Sequence, residues 1–238
     1  MKLTVLGCNG PFPGPGGATS GYLVTSGGDA VCLDLGSGCL GALTALRAPE
    51  TLTGLVFSHW HHDHCADALP LLYRLQARNA VLDVWGPADP NSPVFWTVTG
   101  DEHVRFHPLR PGDMEVLGSL TLICAEARHP VPALMLKLRG EGRTLCYTGD
   151  TNTVDGLEAF TAGADLLLAD GLFPARLWGE GKPHLSAEKC AVLARAGGAG
   201  RLVITHLNPD LDAAELMREA RAVYPEAELA SPGAAWEV

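Results

Sequence analysis

The stretch Ser58-His59-Trp60-His61-His62-Asp63-His64 follows the apolar run 52–57, which has the length of a buried strand. Four side chains in this stretch are of the kinds that divalent transition metals prefer as ligands: those of His59, His61, Asp63 and His64. The alternate spacing of the first two allows both imidazoles to reach one ion, while the last two continue the turn toward a second. A solvated histidine-rich turn is the structural alternative, but such dense ligand spacing favours a metal site.

One loop cannot complete two coordination shells, so the remaining ligands must come from elsewhere in the chain. Three candidates each follow an apolar run of strand length: His129, Asp150 and His206. This position places all three at the carboxyl edge of a sheet. Any one of them alone would be interpreted as structural, and Gly149-Asp150 alone as a turn. Their shared position makes them credible partners of the histidine-rich loop.

The rest of the chain alternates in a way that is typical of a layered α/β fold with mixed sheets. The predicted strands are 3–6, 21–25, 30–35, 52–57, 81–85, 103–107, 120–125, 133–138, 143–147, 166–169 and 202–205. The predicted helices are 36–47, 66–75, 156–163, 186–196 and 213–223. We predict a single domain that spans residues 1–238, because the length suits one compact core.

Composition argues against several classes of protein. Hydrophobic residues make up 47% of the 238 residues and charged residues 18%, as in a folded soluble protein. The net charge is −10 and no basic tract occurs, so a broad electrostatic grip on nucleic acid is not expected. Seven scattered cysteines without a Cys-x-x-Cys pair indicate reduced thiols and a cytoplasmic location. Neither a membrane span nor the core of a signal peptide is recognisable.

The candidate ligands occur in an order that resembles the metallo-β-lactamase superfamily, on its ribonuclease Z-like branch. The motifs are His59-x-His61-x-Asp63-His64, His129, Gly149-Asp150-Thr151 and Thr205-His206. Segments 4–7 and 184–188 resemble the family too, so the resemblance covers nearly the whole chain. It implies an αββα sandwich, with two mixed β-sheets flanked by helices. It also implies that one metal is held by His59, His61 and His129, the other by Asp63, His64 and His206, with Asp150 bridging them.

The resemblance implies two divalent metal ions as cofactors. Nitrogen-rich ligation suits zinc, and the carboxylates leave manganese open. Two bridged cations would lower the pKa of a shared water and supply hydroxide near neutral pH, and Asp63 would orient this nucleophile. His184 resembles the proton-donating histidine at the helix entry of ribonuclease Z. Alternatively, His184 is an exposed loop histidine beside Pro183.

Two departures from the ribonuclease Z pattern bear on the substrate. Only 20 residues lie between His129 and Asp150, so the long arm that grips transfer RNA in that family is absent. Ala169-Asp170-Gly171-Leu172 stands in place of the family's His-Glu-Ala-Thr motif, so only Asp170 is left to keep the acidic function. Both departures favour short relatives that hydrolyse small phosphodiesters such as 3′,5′-cyclic nucleotides.

Three alternatives stay open at this point. The chain could be a ribonuclease Z-like endonuclease acting on RNA 3′ ends, or an acyl hydrolase cleaving a thioester or lactone on the same metals. A non-enzymatic binding module is disfavoured because all seven inferred ligands are present. A homodimer is implied by the family alone, and no membrane partner is expected.

Some residues keep two interpretations. Trp60 either stacks on a base of the substrate or packs beneath the metal loop. The Gly- and Pro-rich segment 7–17 is either a tight irregular turn or a loop shaped to admit a ligand. The remaining histidines are expected in surface or structural positions: His62, His103 and His107.

Overall fold

A computed structural model describes residues 1–238 of the chain. The strands are β1 (Lys2–Gly7), β2 (Gly21–Ser26), β3 (Asp29–Leu35), β4 (Gly54–Val56), β5 (Leu82–Pro87), β6 (Val104–Leu109), β7 (Met114–Leu117), β8 (Leu120–Glu126), β9 (Leu134–Gly140), β10 (Arg143–Tyr147), β11 (Leu166–Asp170), β12 (Leu202–Thr205), β13 (Glu228–Leu229) and β14 (Ala235–Glu237). The helices are α1 (Cys39–Leu46), α2 (His62–Cys65), α3 (Ala68–Arg78), α4 (Pro93–Thr99), α5 (Leu157–Thr161), α6 (Ala187–Gly197) and α7 (Ala213–Val223). Two short 3₁₀ turns occupy Pro49–Thr51 and Ala175–Leu177.

The strands form two sheets of seven strands each. The first has the order β14-β1-β2-β3-β4-β5-β6 and the second the order β13-β12-β11-β10-β9-β8-β7. Both sheets are mixed, because β3 to β6 and β10 to β13 run parallel while their other neighbours pair antiparallel. This arrangement confirms the predicted sandwich of two mixed sheets flanked by helices.

Side chains of successive strand residues point to opposite faces, so a central strand here must be apolar on both. In β3, Val31 and Leu33 join the core between the two sheets, while Cys32 and Leu35 join the core beneath the helices. A third apolar cluster lies between the second sheet and α5, α6 and α7. The apolar runs that predicted strands therefore arise from burial on both faces.

Local signals fix where the helices begin. Ser186 accepts a hydrogen bond from the Lys189 backbone N–H, so α6 starts at Ala187, three residues beyond His184. Ser92 caps α4 in the same way, with Pro93 in the first turn. The sequence prediction missed α4, although Ser-Pro before an apolar run is typical of a helix start.

The other differences concern element ends and short edge strands. Gly38 is left-handed at φ 88°, so α1 begins at Cys39, later than the predicted start at residue 36. The strand predicted at 52–57 is confined to Gly54–Val56. None of the helices combines the length and the apolar character required to cross a bilayer.

Candidate metal centre

The predicted ligands come together because each one follows a strand that ends at the same edge of the sandwich. The histidine-rich loop follows β4, and three further candidates follow β8, β10 and β12: His129, Asp150 and His206. Loops at the carboxyl ends of parallel strands are where α/β proteins place ligands. The fold thus brings together, on neighbouring loops, side chains that are up to 147 residues apart in the chain.

The seven predicted ligands form two groups, and within each group one ligand atom from every residue lies within 4.8 Å of the others. One group contains His59, His61, His129 and Asp150. The other contains Asp63, His64, Asp150 and His206. Asp150 belongs to both, so its two carboxylate oxygens face both groups. The structure brings together all seven residues that the sequence singled out.

The donor atoms fit divalent cations. Three of them are buried without any hydrogen-bond partner: Asp63 Oδ2, His64 Nε2 and Asp150 Oδ1. A buried polar atom left without a partner is costly, and a cation held between these atoms would remove that cost. In the first group, His61 Nδ1 lies 3.1 Å from His59 Nε2 and 2.9 Å from His129 Nε2. The three ring nitrogens therefore converge on one point.

Electrostatics keep most of these groups in the protonation states that metals bind. Burial lowers the pKa of His59 and of His206 well below the ordinary histidine value, and lowers the pKa of His129 to about 4. Burial alone would raise the pKa of Asp150, but His206 and His64 hold it well below its usual range. The centre thus presents neutral imidazoles at His59, His129 and His206 around an ionised carboxylate. Burial alone would lower the pKa of His64, but the carboxylates of Asp150, Asp63 and Asp34 raise it well above the ordinary histidine value.

Asp34 is a functional residue that the sequence analysis missed. It lies fully buried one residue before the end of β3. Its carboxylate accepts hydrogen bonds from the Ser58 backbone N–H at 2.7 Å and from Ser58 Oγ, His64 Nδ1 and Tyr147 Oη at 2.8 Å each. A proton held on Nδ1 leaves His64 Nε2 free to face a metal. The sequence shows only a charged residue inside an apolar strand, which does not by itself indicate this role. The left-handed φ of 55° at Asp34 is visible in the structure alone.

The Gly- and Pro-rich segment 7–17 packs against the second group. A Cβ placed on Gly10 would lie only 2.2 Å from the His206 ring, so no larger side chain fits between this backbone and the imidazole. Ser20 Oγ lies 3.2 Å from His206 Nδ1 and fixes the other side of the ring. The segment is therefore part of the wall that orients His206.

His184 lies inside the centre and is only 8% exposed, which excludes the exposed-loop interpretation. Its Nδ1 lies 2.8 Å from Asp170 Oδ2 and 3.8 Å from Asp150 Oδ2, and its ring stacks on that of His206. Burial alone would lower the pKa of His184, but the Asp170 carboxylate raises it to about 9. Burial raises the pKa of Asp170 to about 6. The pair therefore holds its proton on the histidine.

Trp60 packs beneath the metal loop and is not available for stacking on a substrate. Its side chain is 2% exposed and lies against Phe57 and Phe95, and its Nε1 donates to the Pro87 carbonyl at 2.7 Å. Cys65 is likewise fully buried.

The other three histidines lie outside the centre, in surface or structural positions. His62 is exposed, His103 bonds the Ala80 carbonyl, and His107 pairs with Asp83.

Comparison with known proteins decides the family. The sequence model described as "Beta-lactamase superfamily domain" matches residues 33–207, which include every predicted ligand. The chain belongs to the metallo-β-lactamase superfamily. Membership of this superfamily and the clustered histidines and aspartates place it among metal-dependent hydrolases.

Individual members of the superfamily match over the full length of the chain. "Probable metallo-hydrolase YhfI" of Bacillus subtilis is 32% identical over 100% of both chains, and its crystal structure superimposes with a TM-score of 0.94, covering 100% of this chain and 98% of that one. A ribonuclease Z of Bradyrhizobium is 27% identical, with 97% of each chain covered. The short form of human tRNase Z shares the fold, at a TM-score of 0.79 and 20% identity, over 100% of this chain and 99% of that chain.

Proposed function

We propose that this chain is a dinuclear metal-dependent phosphodiesterase that cleaves small phosphodiesters such as 3′,5′-cyclic nucleotides. The observation that carries the proposal is the short connection between two complete ligand groups. Between His129 and Asp150 the chain forms only the loop 130–133, the hairpin of β9 and β10, and its turn at Glu141-Gly142. No segment extends from this connection to hold an RNA, which supports a small phosphodiester as the substrate.

In this proposal His59, His61 and His129 hold one ion, Asp63, His64 and His206 hold the other, and Asp150 binds both. Zinc or manganese suits the mixed nitrogen and oxygen set. Two such ions supply Lewis-acid stabilisation of a phosphate and an activated water. They also give the site a positive field for an anionic substrate, although the chain as a whole carries a net charge of −10.

Two side chains of the protein, His184 and Asp170, supply the proton that the leaving alkoxide needs. Asp170 accepts the Nδ1 hydrogen of His184, which fixes the tautomer and leaves Nε2–H without a partner in the protein. His184 therefore serves as the general acid, donating from Nε2 to the departing oxygen. Asp63, buried except for a side-chain exposure of 11%, orients the attacking water with its carboxylate.

Similarity to a ribonuclease Z at 27% identity supports a phosphodiester over an acyl substrate. It also makes an endonuclease acting on RNA 3′ ends the second candidate. All seven cysteines are free and buried, which supports a reducing, cytoplasmic compartment. A homodimer stays a prediction from the family resemblance.

A panel of four substrates tests the proposal. Zinc- or manganese-loaded protein should hydrolyse bis(p-nitrophenyl) phosphate and 3′,5′-cyclic AMP, and leave an acyl thioester and a 3′-extended precursor tRNA intact. Asp150→Asn, which keeps the shape of the side chain, should abolish diester turnover. Cleavage of the thioester or of the tRNA in preference to the small diesters would overturn the proposal in favour of the corresponding alternative.

A further inference from the structure

A groove of about 520 Å³ opens beside the metal centre, with His129 in its wall. It lies where β5, β6 and β8 end and β9 begins, at the same edge of the sandwich as the ligand loops. Four prolines in its lining limit backbone motion: Pro87, Pro108, Pro111 and Pro132. The groove is therefore a rigid continuation of the reaction site.

Two contacts fix the groove to the metal loop. Trp60 donates its indole hydrogen to the Pro87 carbonyl, and the Leu134 backbone N–H donates to the Ser58 carbonyl at 2.9 Å. Both Pro87 and Leu134 line the groove. A molecule seated there consequently has a defined position relative to the ligands that follow Ser58.

The lining is apolar except for His129 and two charged side chains, Arg110 and Glu126. Both are exposed, and neither side chain makes a hydrogen bond or an ion pair within the protein. The Arg110 backbone is nevertheless fixed, because its N–H donates to Asp113 Oδ2 at 2.7 Å. The groove thus has apolar walls, free hydrogen-bond donors on the Arg110 guanidinium and free acceptors on the Glu126 carboxylate.

A purine base has the matching chemistry. Its faces are apolar, and its edge carries acceptors that arginine binds and amino hydrogens that a carboxylate accepts. The volume lies within the range of about 300–1,000 Å³ that small-molecule sites occupy. A smaller depression of about 210 Å³ also has His129 in its wall, and its other lining residues are Arg128, Lys182, one glycine and two prolines, so it suits an anion and not a base.

We propose that this groove binds the purine base of the substrate, with Arg110 and Glu126 as the residues that determine specificity. The inference rests on the proposed function and narrows it to purine nucleotides. A second cavity of about 510 Å³, next to α5 and α6, shares none of its lining with the seven ligand residues and has no such connection to the reaction site.

The test compares substrates with and without a base in Arg110→Ala and Glu126→Ala. Each variant should lose about tenfold in kcat/KM toward 3′,5′-cyclic GMP or AMP through a raised KM, as expected for one lost base contact. Turnover of bis(p-nitrophenyl) phosphate should be unchanged, because that diester carries no base. Arg139→Ala and Glu115→Ala remove exposed charges outside the groove and should resemble wild type on both substrates.

The expected order in wild type is purine above pyrimidine cyclic nucleotides. Equal losses on both substrates, or no loss on either, would overturn the assignment of the groove. If wild type cleaves no diester, the proposed function fails and the groove is judged by binding alone. Saturation-transfer NMR of metal-loaded protein should then show contact with guanosine 5′-monophosphate but not with ribose 5-phosphate, and Arg110→Ala should abolish it; equal contact with both ligands would reject the groove.

Discussion

His184 Nδ1 lies 2.8 Å from Asp170 Oδ2. Asp170 is the last residue of β11, and His184 lies on the loop that leads into α6. Two residues 14 positions apart in the chain thereby form a hydrogen-bonded pair next to the Asp150 carboxylate. Asp170 stands at the place where the sequence departs from the ribonuclease Z motif, and the structure pairs it with His184.

His184→Ala should lower kcat by about 10²-fold or more on a cyclic nucleotide, whose alkoxide leaving group needs a proton. The same variant should turn over bis(p-nitrophenyl) phosphate at close to the wild-type rate, since p-nitrophenolate leaves without protonation. Steady-state kinetics on the two diesters measure this difference. His103→Ala, which removes a histidine outside the centre, serves as the control, and an equal loss on both diesters would refute the role of His184 as an acid.

Asp34→Asn should weaken metal binding about 10–100-fold, because the amide cannot accept all four hydrogen bonds that orient His64 and its neighbours. Competition with a chelator of known affinity measures the change. Asp165→Asn alters a partly exposed carboxylate that pairs with Arg143, and should leave metal affinity unchanged. Wild-type affinity in Asp34→Asn would show that the residue supports only the fold.

Gly10→Ala should displace the His206 ring, because the added Cβ would lie 2.2 Å from it. We expect about a tenfold loss of affinity for the metal that His206 would bind. Gly28→Ala is the matched control, since a Cβ at Gly28 meets nothing within 4 Å. Metal content after dialysis, determined by mass spectrometry, should fall for the first variant alone; full metal content in Gly10→Ala would contradict the contact.

The cysteine thiols should be inert in the native protein. Burial raises the pKa of Cys8 and of Cys146 to about 11 and that of Cys124 to about 12, so almost no reactive thiolate forms at pH 8. A chromogenic disulfide reagent should detect no thiol before unfolding and seven after it, the full cysteine count. Rapid native labelling at pH 8 would show that the core around these residues opens.

The residues of the candidate metal centre were predictable because their signals are local. Dense spacing in the histidine-rich loop and the position after apolar strands, as at Asp150, can be recognised in the sequence without knowing which strands pair. Asp34, Ser20 and Gly10 were not recognisable as parts of the site, since their roles depend on contacts with residues distant in the chain.

In the fold, too, the elements with a clear local sequence pattern were predictable and the others were not. Central strands such as β11 are buried on both faces and form clear apolar runs. Edge strands such as β7 are exposed along most of their length, and β13 has only two residues. A short or solvent-facing strand leaves little hydrophobic pattern, so these elements were missed.

The most direct measurement is the turnover of 3′,5′-cyclic AMP by metal-loaded protein, with Asp150→Ala as the control. We predict conversion to adenosine monophosphate by wild type and none by the variant, because Asp150 faces both ligand groups. No turnover by a wild-type protein that carries its full complement of metal would contradict the assignment of this chain as a cyclic nucleotide phosphodiesterase.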